Sequence, residues 1–179
     1  MAAPLTVTIA RKTPLTEDKL QPAGKESVAA ILTRCKALLV QTWLDRAKKA
    51  PQLNHLHLSD EERTGHLPRL VEDLVTRLDK PKLSDEESDA ITSPAAIEHG
   101  QLRRIQGYSS GMLVHESRIL QVTIFGILHD NLRVLDFNLL LPDVMLIADE
   151  VDWQLTQTMV SFTDGAPKSA KAQLVNPKG

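Results

Sequence analysis

Aromatic residues are scarce: two Trp, one Tyr and three Phe make up 3% of the 179-residue chain. Sheet proteins draw on aromatic and β-branched side chains, so this scarcity, beside abundant leucine, favours helices. One cysteine, Cys35, excludes an internal disulfide and any multi-cysteine metal cage. Neither sign of charge dominates, with 21 basic against 23 acidic residues and a net charge of −2. The basic excess that neutralises phosphates is missing, so no nucleic-acid partner is expected. Long apolar runs are missing as well. The most apolar stretch, Leu135 to Ala148, is interrupted by Asp136, Asn138, Pro142 and Asp143, and it is shorter than the ~20 apolar residues of a membrane span. The opening residues lack the charged-then-apolar order of a secretory signal. These absences predict a cytoplasmic chain that neither enters a membrane nor binds nucleic acid.

What is present suits one packed domain, with 42% hydrophobic and 25% charged residues. Pro4, Pro14, Pro22 and Gly24 break up residues 1–24, and Gly165, Pro167 and Pro177 do the same for 164–179. Both ends read as flexible tails, with a helical domain over 25–163. Val28, Ile31, Leu32, Cys35, Leu38, Leu39 and Trp43 recur at helical spacing from Glu26 to Ala50. Cys35 falls on that stripe and reads as a buried thiol. Ser59 and Glu62 have capping-box spacing. Pro68 then leaves two options, a short helix ending near Gly65 with a new one from about Leu67, or one kinked helix. Residues 80–93 read as an acidic linker. Ser93-Pro94 opens a third helix toward Arg133, with or without a break near Gly107-Tyr108. An irregular piece is expected over Val134 to Leu141, with Pro142 in the first turn of the last helix. Val144, Ala148, Val151, Leu155, Thr158 or Met159, and Phe162 would form that helix's inner face. The fold class predicted is all-α, a bundle of four to five helices.

The chemically informative segment is 96–118. On a helix, Ala96, His99, Arg103, Gln106 and Ser110 share one face, while Gly100, Gly107 and Gly111 lie on an adjoining one. Three helix glycines are each unfavourable by roughly 1 kcal/mol relative to alanine. Close approach of a helix or a ligand would offset that. Two readings stand side by side: a small-ligand or helix-docking site, or a polar hydrogen-bonded helix contact inside the core.

His99-Gly100, Arg103, Gln106-Gly107-Tyr108, Glu116 and Arg118, with His66-Leu67-Pro68 upstream and Trp43 near the end of the opening helix, resemble the N-terminal domain of RsbRD-type stressosome proteins, the RsbT co-antagonists. Similar domains precede the kinase core of some bacterial sensor histidine kinases. The resemblance covers about 26–160. It implies a cytoplasmic, non-enzymatic signal-input domain related to non-haem globin-like sensors, a kinase or STAS-type output partner, and a homodimer. Such domains usually precede an output domain, and no glycine-rich ATP lid occurs here, so a stand-alone or excised input domain is expected. His99, Gly100, Arg103, Gln106, Gly107, Tyr108, Glu116 and Arg118 are the candidate ligand or interface residues. Arg103 or Arg104 would bind an anionic group. Glu116 and Arg118 would orient the site or pair between helices.

Other chemistries have thinner support. His55 and His57 lack a third metal ligand, and the Glu-x-x-His pairs of a di-iron bundle are absent; no metal is expected. Haem is the alternative cofactor, in a globin-type sensor with His115 or His129 as the proximal ligand. A third reading is an enzyme with a buried acid–base pair, His99 and Glu116. No Gly-x-Ser-x-Gly elbow, phosphate loop or dinucleotide fingerprint occurs.

Overall fold

The computed structural model describes residues 25–80 and 92–164. The two expected tails and most of the acidic linker lie outside the described residues. Within them the chain is an all-α bundle: α1 (Val28–Arg34), α2 (Lys36–Lys49), α3 (Pro51–Asn54), α4 (Asp60–Thr64), α5 (Leu67–Asp79), α6 (Pro94–Ile105), α7 (Ser110–Asp130) and α8 (Phe137–Asp164). None of these helices is long and apolar enough to cross a membrane.

The predicted opening helix is present as two consecutive pieces, α1 and α2. Ser27 caps α1 by accepting from the Ala30 N–H, and Cys35 sits at the joint with α2, at φ −94 and ψ 7. Its thiol is buried, as the stripe predicts. Of the two options at Pro68, the first holds: α4 opens on the Ser59–Glu62 capping box and ends at Gly65, and α5 starts at Leu67 with Pro68 in its first turn. α6 starts at Pro94 behind the Ser93 cap.

α8 departs from expectation. It begins at Phe137, so the irregular piece is shorter than Val134 to Leu141, and Pro142 lies inside the helix rather than in a first turn fixed by it. Its buried face carries Ile147, Glu150, Val151, Gln154 and Thr158. Periodicity read from apolar side chains placed Val151 and Thr158 on that face but missed Ile147 and the polar Glu150 and Gln154.

The described residues form a large core and a small second cluster of Leu70, Ala95 and Ala96. Val28, Ile31, Leu32, Leu39 and Trp43 from α1–α2 pack with Leu67, Val71 and Leu74 of α5, Leu113, Leu120 and Ile124 of α7, and Ile147 and Val151 of α8. α6 lies along α8. Gly100 makes that contact possible, because a Cβ there would collide with Ser161 Oγ and the Thr158 carbonyl oxygen. The hydroxyls of Thr158 and Ser161 donate to the carbonyls of Ala96 and Ile97, at 3.1 and 2.8 Å. The start of the described chain is tied to the α7–α8 turn by a parallel bridge between Glu26 and Leu135. The Glu26 N–H donates to the Val134 carbonyl at 2.7 Å, and the Asp136 N–H to the Glu26 carbonyl at 3.0 Å.

Candidate functional site: a buried His–Arg–Glu cluster

The end of α6 explains how the cluster is assembled. Gly107 has φ +79, a left-handed conformation that favours glycine. Its N–H donates to the Arg104 carbonyl, and the Tyr108 N–H donates back to the Arg103 carbonyl at 3.0 Å. This is a Schellman closure, with glycine just past the cap. It folds Tyr108 over Arg103, whose guanidinium carbon lies 4.7 Å from the ring centroid. Ser109 then caps α7 by accepting from the Met112 N–H. Two turns into α7, Glu116 faces Arg103.

Arg103 is fully buried and Glu116 is 3% exposed. Arg103 grips the carboxylate in a two-pronged way: Nε donates to Glu116 Oε2 and Nη2 reaches Oε1, both at 3.0 Å. Its remaining donors meet Gln106 Oε1 at 2.6 Å and the carbonyls of Glu62 and Arg63 at 3.0 and 2.7 Å. Those two carbonyls belong to the last turn of α4, which has no helical partners for them and presents the negative end of its dipole. Arg63, also buried, donates in turn to the carbonyls of Leu53 and Leu56.

Four donors converge on Glu116: Arg103 twice, the Tyr108 hydroxyl on Oε1 at 2.7 Å, and His99 Nε2 at 3.3 Å from Oε2. Burial alone would raise this carboxyl. The bond from His99, the charge of Arg103 and the Tyr108 hydroxyl outweigh that, and it is held below the ordinary glutamate value. Burial and the Glu116 charge raise the Tyr108 phenol. Trp43 covers the group from α2, its indole N–H donating to the Glu116 carbonyl at 3.3 Å.

His66 and His99 stack face to face, ring centroids 3.8 Å apart and 17° from parallel. The edge of Trp43 meets His66 at 6.0 Å. Burial, the His99 ring and the charges of Arg103 and Arg69 hold His66 well below the usual histidine range. Burial also lowers His99. The bond and charge of Glu116 pull the other way without restoring it. Both rings are therefore neutral near pH 7. The His99–Glu116 contact is a hydrogen bond from a neutral imidazole, not an ion pair.

Ligand atoms of His66, His99 and Glu116 lie within 4.8 Å of one another. The geometry does not suit a shared metal. The in-plane lone pairs of two nearly parallel rings 3.8 Å apart do not converge on one point, and Arg103 already occupies both oxygens of Glu116.

The candidate residues thus fall into separate places. His99, Arg103, Gln106, Tyr108 and Glu116 meet in the cluster. Of the two readings, this arrangement is that of a polar hydrogen-bonded contact inside the core: His99, Arg103 and Glu116 are buried, and Arg103 directs its donors to Glu116, Gln106 and the α4 carbonyls. Arg118 is exposed and outside the cluster. The three glycines of the adjoining face have separate roles: Gly100 is a helix contact, Gly107 a left-handed cap, and Gly111 an exposed residue in the first turn of α7. His115 is half-buried and His129 exposed. The candidate set left out His66, Arg63 and Trp43. The signal for His66 was a histidine beside Leu67 at the head of the apolar stripe Leu67, Leu70, Val71 and Leu74.

Comparison with protein-family models, with curated proteins and with solved structures found no match to this chain.

Proposed function

We propose that the chain is a non-enzymatic signal-input domain of a bacterial, cytoplasmic signalling system. On this reading it resembles the RsbRD-type N-terminal domains and acts as a homodimer on a partner kinase or STAS-type output protein. One observation carries the proposal: His66, His99, Arg103, Gln106, Tyr108 and Glu116, together with Trp43, all among the residues behind the resemblance, meet in a single network that ties α2, α4, α6 and α7 together. Such a network has few partly satisfied states, so a change in it shifts helix packing between discrete arrangements. An enzymatic role gains no comparable support, since the four donors on Glu116 leave it poorly placed to take a proton.

The test uses the full chain with the kinases and STAS proteins of its own organism. Calorimetry and kinase turnover are measured for the wild type and for Glu116→Gln. Binding to one of them, with kinase turnover altered by the wild type and less so by the variant, is the expected result. Absence of binding to every such protein by a folded, wild-type chain overturns the reading. Light scattering tests the homodimer, and a monomer at high concentration removes that part.

A further inference from the structure

A small cavity lies beside the stacked histidines, in the middle of the core. Its volume is about 30 Å³, and its walls include Trp43, His66, His99, Ser117, Gln154 and Thr158. Room for one water molecule needs about 10–15 Å³ on this measure, so the space takes one or two.

Its walls are polar in a directional way. His99 Nε2 faces the carboxylate of Glu116, which can only accept, so in the neutral ring the proton sits on Nε2. Nδ1 is then a lone-pair acceptor. It is buried, and no described protein group donates to it. The amide nitrogen of Gln154 donates to the Leu70 carbonyl and to Glu150, and the Thr158 hydroxyl donates to the Ala96 carbonyl. Those bonds use the donors of both side chains and leave their oxygens as acceptors. A buried acceptor without a partner is unfavourable by about 1–3 kcal/mol, so an occupant that supplies a donor is favoured.

We propose that this cavity is a binding site for internal water, one or two molecules donating to His99 Nδ1. A molecule with two donors and the right volume satisfies Nδ1 together with a second acceptor on the wall. The inference does not depend on the signalling role; it follows from the cavity, the unpartnered nitrogen and the position of Glu116.

Nuclear magnetic resonance on the full ¹³C,¹⁵N-labelled chain tests it. The ring nitrogen spectrum of His99 is expected to show the Nε2-protonated tautomer with Nδ1 accepting a hydrogen bond. Water cross-peaks are expected at the methyl groups of Leu113, Leu120 and Val151, which also line the cavity. In Ser117→Val, which adds bulk to the half-buried wall, those cross-peaks should be lost while the rest of the spectrum stays folded. An Nδ1-protonated ring overturns the proposal, as does a folded wild-type protein with no water signal at these methyls. The tautomer is read on the wild type, so the idea remains testable if the variant does not fold.

Discussion

Arg103 illustrates what a single buried charge demands. Its guanidinium meets a carboxylate, a side-chain amide and two helix-end carbonyls, so no donor is left without an acceptor. Removing one member of a buried pair strands the other, and Arg103→Ala is expected to destabilise the fold by about 3–5 kcal/mol. The measurement is a urea unfolding midpoint. A loss below about 1 kcal/mol would show that the pair is a minor contributor. Tyr108→Phe keeps the ring over Arg103 but deletes the donor to Glu116, with an expected loss of about 1.5–3 kcal/mol. The pH dependence has a definite sign. His66 and His99 resist protonation in the fold, under burial and with Arg103 and Arg69 nearby, while the unfolded chain takes up protons near pH 6.5. Unfolding is therefore favoured as pH drops below about 6.5, because the unfolded state binds protons the native state refuses. Glu116, held low, adds a further loss only well into the acid range. Urea midpoints at pH 7.5 and 5.5 check this; equal values would contradict neutral, buried rings.

At the scale of elements, three glycines in one short stretch do three different things, and alanine separates them. Gly100→Ala forces α6 away from α8 and should destabilise by about 1–3 kcal/mol, the usual range for overpacking. Gly107→Ala places a side chain in a left-handed conformation, at about 1–2 kcal/mol. Gly111→Ala meets only Ser109 Oγ, 3.9 Å from the added Cβ, and should be neutral or stabilising by up to about 1 kcal/mol. Thermal melts of the three variants should rank in that sense, and a loss at Gly111 equal to that at Gly100 would restore the common groove. The same residues show what the sequence could disclose. Local signals were sufficient where a helix announces its own start, as at Ser59 and Ser93-Pro94, while the break at Gly107 was left open. They were sufficient again where the core face is apolar, as from Val28 to Trp43. They failed on α8 for Glu150 and Gln154, because Gln154 is buried through a bond to the Leu70 carbonyl, distant in sequence, and Glu150 is bonded to Gln154. They failed for Arg103 in the same way: its helical face was evident, but the partners that bury it, Glu62 and Arg63, lie about 40 residues upstream.

At the scale of the whole molecule, neither the core cavity nor the groove between α6 and α8 suits a haem. A haem needs an axial ligand beside a cavity of its own size. The core cavity is only about 30 Å³, and the groove between α6 and α8, about 460 Å³, is lined by residues such as Ile97, Arg104, Trp153 and Val160 with no histidine among them. The purified chain is expected to show no Soret band after incubation with haemin, and a band abolished by replacing His115 or His129 would reverse that. The bridge between Glu26 and Leu135 bears on the molecule in a different way, through the order in which it is made. A chain leaves the ribosome from its N-terminus, at about 5–20 residues per second. Glu26 emerges early, yet its bonding partners Val134 and Asp136 are synthesised more than a hundred residues later. The stretch leading into α1 therefore waits several seconds of translation for the α7–α8 turn, with Val28, Ile31 and Leu32 of α1 beside it. Its docking is a late event in biogenesis, and the interval before it is when a chaperone would have most to hold.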